Sequence, residues 1–220
     1  MAPHGHQEIE LKRLLVGEGA ADKLATALGP VAAHKAQINH LFDTADRRLR
    51  QHRYSMRLRF ENGTPILTSK GPSRQVGADT RARTEAEATI DARLAQSILE
   101  GKTDPVAVLR ELATDAAFAE LYRGLDDARA GRPLQSLGHF ENQRRTIPVV
   151  LPDGLALDVE VDRTRFPDGR IDEEVEIEVP SDDVVAAVEA WLSQRAAAAG
   201  VMTRPSTPKI ARFFAALGEK

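Results

Sequence analysis

The 220-residue sequence contains no cysteine, which excludes disulfides, thiolate metal sites and thiol nucleophiles together. Aromatic residues are scarce at 5%, leaving little material for an aromatic platform beneath a flat ring. There is no basic excess: the formal net charge is −3, so the electrostatic footprint of a duplex nucleic-acid binder is missing. Any anion this chain binds must therefore be met by locally concentrated Lys and Arg. No apolar stretch approaches the length of a membrane span, and MAPHGHQ lacks the apolar run of a signal peptide. A cytoplasmic protein without a membrane partner is expected. Neither an internal repeat nor a low-complexity linker interrupts the chain, and with 42% hydrophobic and 29% charged residues it reads as one globular domain over 1–220.

What is present is punctuation and alternation. Glu61-Asn62-Gly63 separates SMRLRF from PILTSK, Pro152-Asp153-Gly154 separates TIPVVL from LALDVEV, and Pro167-Asp168-Gly169 precedes the acidic run ending at Val179. Consecutive tight turns of this kind predict an antiparallel meander. Helices are predicted from Ala20 to Leu28, from Asp91 to Glu100, after the cap Asp104-Pro105, from Ser181 to Gly200, and around Ile210 to Leu217. Residues 94–137 form a helical excursion between two strands; a lid, a partner surface and structural cover are all open roles for it. Asp43 and Thr44 read as a local cap. Trp191, Phe213 and Phe214 read as core. His4, His6, His34, His40, His52 and His139 show no metal-type spacing and read as surface or packing residues.

The strands alternate charged and apolar residues. In Glu8-Ile9-Glu10-Leu11-Lys12 the charges take one face and the apolar residues the other. Arg57 and Arg59 flank Leu58, Thr68 and Lys70 share a face, and Glu85 and Glu87 flank Ala86. Asp158, Glu160 and Asp162 alternate with valines, as do Glu174, Glu176 and Glu178 with Val175, Ile177 and Val179. A sheet with one face in water explains one or two such strands, but solvated faces usually mix residue types. Here whole strands are acidic or basic. Carboxylates on neighbouring pleats repel, and divalent cations with a taste for oxygen would offset that. The basic strands suit phosphate oxygens. If the sheet closes, both sets face one lumen and the apolar faces turn outward beneath helices.

These residues, in order, resemble the CYTH domains, the triphosphate tunnel metalloenzymes. The landmarks are Glu8-x-Glu10-x-Lys12, Phe42-Asp43-Thr44, Met56-Arg57-Leu58-Arg59, Leu67 to Pro72 and Arg83-Thr84-Glu85-Ala86-Glu87. Further on come Arg145, Asp162, Glu174-x-Glu176-x-Glu178, and Lys209 before Ala211-Arg212-Phe213. The resemblance implies an α+β fold: a closed eight-stranded antiparallel β-barrel, or tunnel, with a charged interior and flanking helices. It implies Mg²⁺ or Mn²⁺ held by Glu8, Glu10, Glu176 and Glu178, with Glu174 and Asp162 beside them. It implies phosphate contacts from Lys12, Arg57, Arg59, Lys70, Arg145 and Lys209, with Glu85 and Glu87 positioning water or ordering the basic side chains. In that scheme Glu8, Glu10, Lys12, Glu85, Glu87 and Asp162 are the catalytic set. Asp162 has a second reading, as structural partner of an inward arginine. The sequence departs from the family at Gln143, where many members carry a second cation two residues before the matched arginine; Arg144, as neighbour of Arg145, points to the opposite face.

The expected function is metal-dependent hydrolysis of a small triphosphate or short polyphosphate, inorganic triphosphate (tripolyphosphate) first. A class IV-type adenylate cyclase and a thiamine triphosphatase are the alternatives among enzymes. A non-catalytic polyphosphate- or nucleotide-binding module is the alternative outside them. A homodimer is open.

Overall fold

The computed structural model describes residues 6–219; His4 and the His6 side chain lie outside what is described. Ten strands occur among these residues: β1 (His6–Val16), β2 (Ala33–Asp43), β3 (Ser55–Glu61), β4 (Thr64–Lys70), β5 (Arg74–Gln75), β6 (Thr80–Thr89), β7 (Gln135–Val150), β8 (Ala156–Arg165), β9 (Ile171–Glu178) and β10 (Met202–Pro205). They are joined in the order β10-β1-β9-β8-β7-β2-β3-β4-β6-β5, and β1 also pairs with β6. Eight strands thus close into an antiparallel β-barrel, with the short β5 and β10 appended. Seven α-helices accompany them: α1 (Ala20–Leu28), α2 (Arg48–Gln51), α3 (Ala92–Leu99), α4 (Pro105–Leu112), α5 (Ala119–Arg129), α6 (Val185–Ala198) and α7 (Lys209–Ala216).

The turns follow from their residues. Asn62 and Gly63 both take positive φ, 49° and 86°, the pair of left-handed conformations that a two-residue hairpin loop between β3 and β4 requires. The hairpin joining β7 to β8 sets a register in which Val150 faces Ala156 and, six residues back, Arg144 faces Asp162. Asp43 acts as the expected cap: its carboxylate accepts from the N–H groups of Thr44, Leu49 and Arg50, which starts the short helix α2.

Close contacts divide the chain into two compact units, whose boundaries cut through β1, β2, β5, β6 and β7. The first comprises residues up to Glu8, Gln37–Arg74 and Arg83–His139. In it, β2, β3, β4 and β6 turn Phe42, Met56, Leu58, Leu67, Ala86 and Ala88 to one face. The helices α3, α4 and α5 bury Ile98, Leu109, Leu121 and Leu125 against that face. The helical excursion is therefore cover for an apolar sheet face. Its last helix ends at Arg129, and β7 begins at Gln135, two residues before the expected boundary. The caps Asp91 and Asp104 each accept from a first-turn N–H, of Leu94 and Val106.

The second unit comprises Ile9–Ala36, Gln75–Ala82 and Phe140 to the C-terminus. Here the apolar alternates Ile9, Leu11, Ile147, Val159, Val161, Val175 and Ile177 form a face against which α1 packs Leu24 and α6 packs Val188, Trp191 and Leu192. Burying a side chain of this size contributes about 1.5–3 kcal/mol, and the period of two leaves every charged neighbour on the opposite face.

Gly124 lies inside α5, where a Cβ would stand 1.9 Å from the Tyr54 hydroxyl. Gly→Ala inside a helix ordinarily gains about 0.5–1 kcal/mol. At this position overpacking reverses the sign, and Gly124→Ala is expected to lose about 1–3 kcal/mol in urea unfolding.

Candidate functional site

The charged faces of the two units carry different chemistry. In the second unit, four buried carboxylates meet four cations. Glu176 accepts from Lys12 Nζ at 2.6 Å and Lys209 Nζ at 2.5 Å, and also from Arg144. Arg144 grips Asp162 with two parallel bonds of 2.8 and 2.7 Å and reaches Glu160. Lys209 also donates to Asp162 at 2.8 Å and to Glu174 at 3.3 Å. Glu174 is further bonded by Arg212 and by the Ser206 hydroxyl at 3.1 Å. Lys12 pairs with Glu10 at 2.8 Å. Asp162 and Glu174 are fully buried and Glu176 nearly so.

The register explains why cations gather here. Glu160 lies directly across from Glu176, and Asp162 across from Glu174; Glu10 lies across from Glu178, whose residue is exposed. Like charges so placed repel, and the offset expected from divalent metal is supplied in this structure by Lys12, Arg144, Lys209 and Arg212. Burial opposes ionisation of Asp162, but Arg144 and Lys209 outweigh it and hold its carboxyl down to about 2. Burial likewise opposes ionisation of Glu176, and Lys12, Lys209 and Arg144 together hold it well below the usual carboxylate range. Glu160, where burial outweighs Arg144, is pushed up. The reading of Asp162 as partner of an inward arginine matches its contacts.

In the first unit the set is basic. Lys70 Nζ is 2.9 Å from Glu8 and 2.6 Å from Glu85, and Arg83 also donates to Glu8 at 2.8 Å. Arg59 donates to Glu87 at 3.2 Å, and Thr68 donates to the same oxygen at 3.2 Å. Arg57 makes one contact, to Thr68 Oγ1 at 3.4 Å, and its buried Nε has no partner. Burial and, behind it, the neighbouring Arg59 lower the Arg57 pKa to about 10.

The structure thus gathers Glu8, Arg57, Arg59, Lys70, Glu85 and Glu87 in one unit, and Glu10, Lys12, Asp162, Glu174, Glu176 and Lys209 in the other. Arg145 does not join them. It bonds Asp22 of α1 at 2.7 Å, on the apolar-core side of the strand. Its neighbour Arg144 is the arginine on the charged face, because Arg144 and Asp162 are directly opposite in the hairpin. Counting back from the turn at Pro152-Asp153-Gly154 would have found this. Two residues before Arg144 stands Asn142, buried and accepting from Thr164 at 2.8 Å, so the second cation of the family pattern is absent on this face too. Arg212 escaped the sequence reading, although its position three residues after Lys209 places both on one side of α7.

The CYTH-domain family model matches residues 6–214, and the chain belongs to this family. A solved structure from Hippeastrum, a candidate adenylyl cyclase described as having a dominant triphosphatase activity, is 25% identical with a TM-score of 0.72, covering 97% of each chain. A candidate adenylate cyclase from Bacillus halodurans shares the fold at 21% identity and a TM-score of 0.66, covering 96% of this chain and 98% of its own. A Pyrococcus horikoshii protein does so at 14% and 0.56, covering 90% and 94%. No curated protein matches the sequence. Among the described residues, no helix is long and apolar enough to cross a membrane.

Arg144→Met strands buried carboxylates and is expected to cost about 3–5 kcal/mol, whereas Arg145→Met breaks a pair whose Asp22 side chain is 80% exposed and should cost under about 1 kcal/mol; urea midpoints decide. Because Asp162 and Glu176 are held below their ordinary values, the stability they contribute is complete above about pH 5 and is lost as the pH falls, the share of Asp162 toward about 2. Unfolding midpoints measured from pH 7 down to pH 2.5 should drop in that window, and less steeply for Asp162→Asn.

Proposed function

We propose that the protein hydrolyses inorganic triphosphate with Mg²⁺ or Mn²⁺. The observation that carries this reading is Arg57, a half-buried side chain with one long contact and a buried Nε that has no hydrogen-bond partner. Buried donors are ordinarily satisfied, and a guanidinium short of acceptors suits a phosphate oxygen. Arg59 Nε is buried and makes no hydrogen bond, with the Glu61 carboxylate 3.9 Å away. Around them Glu87 and Glu85 hold Arg59 and Lys70 in place, which fixes the basic side chains before any anion arrives. Membership of the CYTH family supports action on a triphosphate, and the dominant triphosphatase activity named for the Hippeastrum relative favours hydrolysis over cyclisation. The aromatic content of 5% runs against a thiamine platform.

The donor chemistry of the acidic set fits a divalent ion. Glu10, Asp162, Glu174 and Glu176 offer hard oxygens, the ligands Mg²⁺ and Mn²⁺ take. Their arrangement as it stands is engaged elsewhere: among the described residues no three Asp, Glu or His side chains are grouped to hold an ion, since Lys and Arg occupy the oxygens. A bound ion would supply charge neutralisation on the triphosphate and an acidified water. The chain's own part is to bind and orient. Arg57, Arg59 and Lys70 would draw charge from phosphate oxygens as it builds on them, and Glu10 and Glu176 are the residues that would hold the ion.

Phosphate release from tripolyphosphate, ATP and thiamine triphosphate, each with Mg²⁺, Mn²⁺ or EDTA, tests the reading, with cyclic AMP assayed in the ATP samples. Fast, EDTA-sensitive turnover of tripolyphosphate is expected, and Arg57→Met and Glu176→Gln should each lose about 10²–10³ in rate. Near-normal rates in both variants would sink the assignment. Cyclic AMP with little free phosphate would make the protein a cyclase, and tight polyphosphate binding without turnover would make it a binding module.

A further inference from the structure

The Lys209 ammonium is an unusual guest. It lies within hydrogen-bonding reach of Asp162, Glu174 and Glu176, at 2.8, 3.3 and 2.5 Å, so its three donors are spent on three different carboxylates. Its side chain is only 14% exposed. It is the first residue of α7, and Arg212, a turn later, also anchors that helix, sharing only Glu174 with it. Arg212 bonds Glu174, Asp172 at 3.0 Å and the Thr207 carbonyl at 3.0 Å, and Phe213 and Phe214 are fully buried behind it. A lysine at the tip of a helix fixed from one turn further on can leave its carboxylates without the helix undocking. No other cation in the cluster combines these properties. Arg144 rides on β7 within the sheet and holds Asp162 through two bonds, and Lys12 sits mid-strand in β1.

We infer that Lys209 is an exchangeable internal counter-ion: it fills the Asp162–Glu174–Glu176 cation position in the metal-free protein, and divalent metal enters by displacing it. This rests on the reading that these carboxylates hold a divalent ion. The exchange keeps the cluster compensated at every stage, because three buried carboxylates left without any cation would be severely destabilising. Linkage then runs both ways: whatever strengthens the Lys209 contacts weakens metal binding, and bound metal frees the ammonium for substrate phosphate by the same factor. Lys209 is thereby a residue that couples metal loading to substrate binding, in addition to its own charge.

The test uses MnCl₂ as the probe on the full chain, with no triphosphate present. Calorimetry should show Lys209→Met binding Mn²⁺ at least about fivefold more tightly than the unaltered protein, a modest coupling by general experience. In the unaltered protein, acylation of Lys209 by an amine-reactive ester, followed by mass spectrometry, should speed up at least about fivefold on adding Mn²⁺, which removal of a charge alone would not produce. Mn²⁺ binding with unchanged Lys209 reactivity would overturn the inference while leaving the metal reading intact. Absence of Mn²⁺ binding in both proteins would overturn the metal reading and the inference with it. Should Lys209→Met fail to fold, the labelling measurement on the unaltered protein decides alone.

Discussion

The charged face of β8 and β9 exists because cations sit between its carboxylates. Glu160 opposite Glu176 and Asp162 opposite Glu174 would otherwise set buried like charges one strand apart, with both repulsion and desolvation against them. Arg144 from β7, Lys12 from β1, and Lys209 and Arg212 from α7 bring the compensation from three directions. Such a network adds little net stability over an apolar core, but removing any single partner is expensive. Its presence is better explained by chemistry than by folding. Oxygen donors held ionised far below their ordinary range remain available to a cation at any physiological pH.

The same alternation that concentrates charge on one face frees the other to be apolar, and each unit solves the resulting exposure with its own helices. In the second unit α1 and α6 suffice. In the first, three helices made from residues 92–129 close over Leu58, Leu67 and Ala86. The helical excursion is therefore what a sheet with a charged inner face requires on its outer one, since a strand pattern of period two cannot be buried on both sides.

Much of this was legible because it rests on local rules. The hairpin turns, the caps Asp91 and Asp104, and the two-residue period that places Arg57, Arg59 and Lys70 on one face all follow from neighbours in sequence. The misplacement of Arg145 shows where local rules end. Adjacent arginines offer both faces, and only the pairing of Arg144 with Asp162 across the hairpin decides between them. The role of the cations was hidden for a related reason. Mutual repulsion among Glu174, Glu176 and Glu178 says that something positive must be near, but a lysine 33 residues beyond Glu176 and a metal ion satisfy that demand equally well on paper. The short strands β5 and β10 and the four-residue helix α2 carry too few residues for any periodic signal.

The division of the chain has a bearing on how it is made. The first unit draws on an almost unbroken stretch, residues 37–139, whereas the edge of β1 that meets β9 pairs with residues 174–178. On a ribosome adding about 5–20 residues each second, that edge waits roughly 10–30 s for its partner while the intervening sheet and its helices assemble. An unpaired strand edge is an invitation to other chains, and charged side chains are the usual protection. Glu8, Glu10 and Lys12 are in place from the start, so the charges that later join the clusters first guard a nascent strand against aggregation.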